Sequence, residues 1–277
     1  MKPDFAGHDL DAEVVFDRFL GTDDLDLVQD VLASVAPRWC RKLRVWKAPR
    51  DQVPIDLSDP HALASAVLAA AGERGDTYRA LVEKYGRPPH ARFAGSAELR
   101  GAGPELTVVI SVDELVLAPL GRSYDLGNHV ALQVRRAKVE AAPGPDWVRA
   151  ALEALAGRLS PAWGAASHVE EYWSKVMSDE PPVRAVGRDF GRHLPGVFWL
   201  NYFGRPYVEL LGARRLGSAP NATPVGDGFL IAVGHDPRDW DDPATVAVEQ
   251  TVRDHLGPEL FFTKGDPERV GVVPDWG

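Results

Sequence analysis

The chain has 277 residues, 45% hydrophobic and 26% charged, and 31 Lys+Arg against 40 Asp+Glu give a net charge of -9. That length holds one large domain or two small ones, and the ordinary globular composition excludes a mainly disordered chain. The acidic balance argues against direct binding of nucleic acid or anionic membranes and favours a basic partner.

Cys40 is the only cysteine, so neither an internal disulfide nor a thiolate metal cluster can form within one chain, as expected in the cytoplasm. The opening MKPDFAGHDLDAEVV has no basic n-region and no continuous apolar h-region. Nothing approaches the roughly 18 apolar residues of a membrane helix. A soluble, cytoplasmic protein is expected.

In chain order, AEVVFDRF reads as a first strand from its β-branched and aromatic content. Thr22 or Asp23 then caps a helix to about Ala36, with Leu25, Val28, Val31, Leu32 and Val35 as its apolar stripe. RWCRKLRVWKAPR interleaves aromatic and basic residues in the manner of a nucleic-acid-binding stretch. Against the acidic whole it reads better as Trp39, Leu43 and Trp46 packed inward with wet basic side chains, and Cys40 as a packed free thiol. In DLSDPHALASAVLAAAGERG, Ser58 or Asp59 is the N-cap, Pro60 suits the first turn and Gly72 ends the helix. A shorter helix is expected over Thr77 to Tyr85.

From Arg92 the period changes. ARFAGSAELRG, ELTVVISVDELVL and NHVALQVRRAKVE predict an antiparallel meander of three strands. Pro145 opens a helix whose Trp147, Val148, Ala151, Leu152 and Leu155 recur at helical spacing. PAWGAASHVEEYWSKVM reads as a turn and a short helix capped by Ser167. GVFWLNYFGRPYVELLG has no polar face and reads as a central strand covered on both sides. Gly204 and Pro206 then turn the chain into a segment bearing Tyr207, Leu210 and Leu211. Strands NATPVG and GFLIAVG flank Asp227-Gly228, a hairpin dipeptide. The last helix, DDPATVAVEQTVRDHLG, has Asp242 as cap, Pro243 in its first turn and Gly257 as terminator.

The layout predicts an α+β fold: antiparallel sheet with helices packed on one face, in a single domain over residues 1–277. It is built either as two similar sheet-plus-helix halves, about residues 1–142 and 143–277, or as one continuous sheet.

Motifs for chemistry are missing. The eight histidines are scattered singly, without HExxH or HxH spacing, so no metal site is expected. GxSxG, GxGxxG and GxxxxGK[ST] do not occur, which leaves no predicted catalytic residue and no cofactor. HDPRDWDDP, His235 to Pro243, lacks the ligand alternation of a calcium loop. Capping accounts for Asp242, and Trp240 among carboxylates has the character of an interface anchor. The candidate partner-binding residues are Asp236, Asp239, Trp240, Asp241 and Asp242, with Glu170 and Glu171 as a second acidic site. The competing class is a small-molecule-modifying enzyme or hydrolase with a site assembled from distant residues such as His168, Glu171 and Asp227.

Taken in order, IDLSDPHALASAVLAAAG, a short-strand meander, LSPAWGAAS, PGVFWLNYFG, VGDGFLIAVG and DDPATVAVEQTVRDHL resemble the Immunity protein 52 family of bacterial polymorphic-toxin systems. The resemblance runs from about Val14 to Leu260. AEVVFDRF is more charged than the pattern, and RPYVELLG is an individual version of a variable segment. The resemblance implies a non-enzymatic cytoplasmic antidote that binds a cognate toxin, in a setting such as type VI secretion. The toxins commonly neighbouring such proteins are nucleases of a restriction-endonuclease-like class, whose basic surfaces an acidic protein is suited to cover.

Overall fold

The computed structural model describes residues 10–18, 20–35, 44–48, 51–56, 58–69, 95–100, 106–112, 128–134, 144–177, 187–266 and 269–274. The strands are β1 (Leu10–Val15), β2 (Arg44–Ala48), β3 (Asp51–Pro54), β4 (Gly95–Arg100), β5 (Leu106–Val112), β6 (His129–Val134), β7 (Trp163–His168), β8 (Leu200–Phe203), β9 (Ala222–Val225) and β10 (Gly228–Ala232). The helices are α1 (Thr22–Val35), α2 (Gly144–Leu159), α3 (Val169–Val176), α4 (Arg205–Leu211), α5 (Ala213–Gly217) and α6 (Pro243–Leu256). Residues 62–69 are also helical. The expectations for Trp39, Cys40, Leu43, Gly72 and the helix over Thr77 to Tyr85 fall outside the described residues, as does the side chain of Trp46.

Among the described residues the strands form one ten-stranded sheet, in the order β3-β2-β4-β5-β6-β1-β7-β8-β10-β9. Every neighbouring pair is antiparallel. The expected meander is β4-β5-β6. The first strand does not lie beside its neighbours in sequence: β1 sits between β6 and β7, with Val15 opposite both His129 and Trp163. The sheet is therefore continuous across the two sequence halves.

Alternation along β1 sends Leu10, Ala12 and Val14 into one core and Val15 into another. The first core packs α1, the 62–69 helix and α2 against the sheet through Leu25, Val28, Leu63, Val67, Val148 and Leu152. The second packs α3, α4, α5 and α6 against the opposite face through Tyr172, Val176, Tyr207, Leu216, Val252 and Leu256. The α+β class holds, with its helices divided between both faces rather than kept to one.

Local chemistry explains the element starts. At the 62–69 helix, Asp59 Oδ1 accepts from the His61 amide at 3.1 Å. Gln29 of α1 completes the cap, its Oε1 accepting from the Leu63 amide at 2.9 Å and its Nε2 donating to the Asp59 carbonyl at 2.6 Å. The two helices are thus locked end to side by hydrogen bonds that a buried glutamine needs anyway.

WGAASH, Trp163–His168, is a strand where a turn was expected, and His168 rather than Ser167 caps α3, accepting from the Glu170 amide at 3.2 Å. Small residues hide the strand from propensity, and packing explains them. A Cβ on Gly164 would stand 3.0 Å from the Glu13 carbonyl and 3.3 Å from Leu152 of α2. The β9–β10 hairpin turns through Gly226-Asp227, one residue earlier than expected, since Val225 pairs Gly228. Gly226 has φ 58, the sign required at the first central position of a type II′ turn. LNYF is buried throughout, as its lack of a polar face predicts. It lies near the β9 edge, while β6 and β1 hold the centre.

Candidate partner-binding surface

The chain leaves β10 into the acidic loop. Trp199 Nε1 donates to the Gly234 carbonyl at 3.0 Å and ties the loop to the start of β8. Asp236 then caps the 3₁₀ turn Pro237–Asp239 by accepting from the Arg238 amide at 2.9 Å. The Arg238 guanidinium folds back onto the same carboxylate and holds it below the usual carboxylate range, with partial burial opposing. Asp242 caps α6, accepting from the Ala244 amide at 2.8 Å, with Pro243 in the first turn. Both capping carboxylates therefore have structural work.

Asp239, Asp241 and Asp242 are exposed, Asp236 is half-buried and Trp240 is half-buried. The 3₁₀ turn packs against β7, whose last residue, His168, caps α3 and lies close enough to act electrostatically on Asp236. The exposed Glu170 follows directly. The fold thus brings the loop carboxylates and Glu170 to the same end of the sheet.

Glu171 does not join them. Its side chain is 4% exposed, and its Oε1 lies 2.8 Å from Lys175 Nζ, which also reaches Glu249 Oε2 at 2.8 Å and the Val197 carbonyl. Burial raises the Glu171 carboxyl, with Lys175 opposing. Reading Glu170 and Glu171 as one surface pair is corrected accordingly: successive helical residues diverge, and α3 turns the second toward the core.

A second pair of carboxylates escaped the sequence reading. Asp11 and Glu13 lie on the Val15 face of β1. Arg188 Nη2 contacts Glu13 Oε2 at 2.7 Å, and its guanidinium stands 5.2 Å from the Tyr172 ring. The signal was present in the unusual charge of the first strand: two acids spaced by two residues in LDAEVV must share a face.

The residues of the competing enzyme reading are not assembled. Asp227 accepts from the Tyr202 hydroxyl at 3.0 Å at the β9–β10 turn. His168 lies at the other end of the neighbouring strands, beyond Ala166 opposite Leu200, a separation on the order of 20 Å at about 3.3 Å per residue. Among the described residues no group of three or more His, Cys, Asp or Glu is placed to hold a metal ion. No helix among them is long and apolar enough to cross a membrane.

These features define an α+β protein built on one mixed-order antiparallel sheet, with carboxylates displayed at one end. No protein-family model matches the chain, and no curated protein matches it at a significant level. Among solved structures it is similar to the T6SS protein PA0821 of Pseudomonas aeruginosa, with a TM-score of 0.53 and 16% identity over 97% of this chain and 81% of that one. At this identity the likeness establishes a shared fold running through nearly the whole chain.

Proposed function

We propose that the protein is an immunity protein of the Immunity protein 52 type, a cytoplasmic binding protein rather than an enzyme. It neutralises a cognate bacterial toxin by stoichiometric binding. The partner is a basic nuclease domain of the restriction-endonuclease-like class, and the setting is a type VI secretion system. The observation that carries this reading is the gathering of exposed Asp239, Asp241, Asp242 and Glu170 at one end of the sheet in a chain of net charge -9. Such a surface complements a cationic, nucleic-acid-cleaving cleft and accelerates encounter with it. The fold shared with a T6SS protein supports the secretion setting.

The test is co-expression with the toxin encoded by the neighbouring gene. The expected result is a stable binary complex, loss of nuclease activity and an association rate that falls as salt rises. A toxin that stays fully active and does not co-purify with this chain overturns the reading.

A further inference from the structure

Beyond α6 the chain returns to the loop that precedes β8. A 3₁₀ turn, Pro258–Leu260, leads into Phe261 and Phe262, and this stretch clasps Leu194. The Leu194 amide donates to the Leu260 carbonyl at 2.7 Å, and the Phe262 amide donates to the Leu194 carbonyl at 2.8 Å. A last stretch is tied to the same clasp: the Gly271 amide donates to the Arg192 carbonyl at 2.8 Å and the Val272 amide to the Glu259 carbonyl at 3.1 Å. The two layers are anchored differently. Leu260, Phe261 and Phe262 of the inner layer are buried, whereas Lys264, Gly265, Asp266, Arg269, Val270 and Val272 of the outer one are exposed.

His193 stands between the two tied residues, Arg192 and Leu194, with its ring against Phe262 at a centroid distance of 5.0 Å. It is 3% exposed, and neither ring nitrogen makes a hydrogen bond among the described residues. A neutral imidazole tolerates that enclosure. An imidazolium does not, since it has two N–H donors to satisfy and a charge to solvate. We propose that His193 is an acid-sensitive latch: its protonation drives the ring past Phe262 toward water and releases the chain beyond Phe262, while the sheet stays closed. The outer layer is the part that yields, because it buries one described residue, Pro274, where the inner layer buries three large apolar ones.

Burial sets the direction of the response. It pushes the His193 ring below its ordinary value of 6.5, with Arg192 acting the same way and with Asp189 and the carbonyls of His193 and Leu194 opposing. The elements packed around the ring and Phe262 bring further charges. They are Glu259 in the 3₁₀ turn, Arg253 of α6, which donates to the Phe262 carbonyl at 3.2 Å, and Lys175 of α3, held by Glu171 and Glu249. Lys264, Asp266 and Arg269 follow on the exposed outer layer. No carboxylate among them bonds to the ring, so the closed latch offers an added proton no partner. In the open form the ring regains its ordinary value and binds the proton more readily. The closed latch is therefore fully stable above pH 6.5 and weakens as pH falls from there through the lower value of the enclosed ring. With one proton bound per opening, the ratio of open to closed rises by up to about tenfold per pH unit in that window.

The experiment pairs two spin labels in a Cys40→Ser background. One is at Gly265→Cys, where a side chain meets nothing within 4 Å, and the other at Ala247→Cys on the exposed side of α6. Their separation is measured by pulsed electron resonance from about pH 7.5 down to about pH 5. The expected result is one narrow distance at the upper pH, joined by a broad, longer component as pH falls, while near-UV circular dichroism stays unchanged. His193→Phe keeps an aromatic ring against Phe262 but binds no proton, and is expected to hold the narrow distance throughout. In the label-free protein, NMR of the His193 ring is expected to give a midpoint below 6.5. A distance that ignores pH, that changes equally in a folded His193→Phe, or that changes only together with the near-UV signal overturns the latch. So does a His193 ring that titrates at or above its ordinary value.

Discussion

Asn201 holds Phe198 by both ends of one peptide frame: the Phe198 amide donates to Asn201 Oδ1 at 2.8 Å, and Asn201 Nδ2 donates to the Phe198 carbonyl at 2.7 Å. Both residues are fully buried. The amide side chain thus replaces a neighbouring strand for the irregular stretch that leads into β8. Asn201→Leu keeps the volume and strands both backbone groups, so it should destabilise by about 2–4 kcal/mol, read from urea unfolding.

Trp199 tests whether the aromatic stretch is structural. Its ring is buried, anchored to the Gly234 carbonyl and covered by Arg149 at 5.9 Å. Trp199→Ala should lower stability by about 3–5 kcal/mol, and Trp199→Phe by roughly 1 kcal/mol for the lost hydrogen bond. A Trp199→Ala protein of full stability that fails to bind toxin would place the residue in the interface instead.

Two glycines near α4 should behave differently. A Cβ on Gly204 would overlap the Pro161 carbonyl oxygen, so Gly204→Ala must displace backbone and should give little soluble protein. Gly212 has φ 83 and nothing within 4 Å of its Cβ position, so Gly212→Ala meets conformational strain alone, about 1–2 kcal/mol. Parallel expression and thermal melts distinguish the two.

Lys175 bridges Glu171 and Glu249 where its own side chain is 17% exposed. Lys175→Met leaves a buried carboxylate uncompensated and should destabilise by about 3 kcal/mol. Lys175→Met combined with Glu171→Leu should recover much of that loss, since the double change removes the most buried pair and leaves only Glu249, whose side chain is 20% exposed. Chemical denaturation of the two variants checks the cycle.

Asp11 sets a pH dependence opposite to that of a salt-bridged acid. Its carboxyl titrates higher in the folded chain, about 7, than its ordinary value of 3.8. Between these values the folded state holds the extra proton, so stability falls as pH rises through that window. Asp11→Asn should therefore stabilise the protein relative to wild type at pH 8 and change it little at pH 4, in melts of matched ionic strength.

The helices that sequence predicted best were those with both a cap and a stripe. Asp242-Pro243 opens α6 where Gly257 closes it, and Leu25, Val28, Val31 and Leu32 of α1 are all buried. The strands LNYF and LTVVISV were visible through their continuous apolar runs. Trp163–His168 was not, because its small residues lack strand propensity and Gly164 is small to admit α2 and the adjacent strand, a tertiary demand that no local pattern carries. The exposed acids were legible by composition, but that Glu171 turns inward depends on the partner Lys175 provides from the next turn of α3. The Asp11 and Glu13 pair needed the strand register to acquire meaning, since Arg188 arrives 175 residues later.

The place of β1 also bears on how the chain is made. Its two partners, β6 and β7, begin at His129 and Trp163, so β1 is synthesised well before either strand it pairs with. A nascent chain stalled before His129 has β4 and β5 but no middle to join them to. Sheet closure is therefore a late event in synthesis, and a peptide carrying Leu10–Val15 supplied separately should rescue a chain that lacks it.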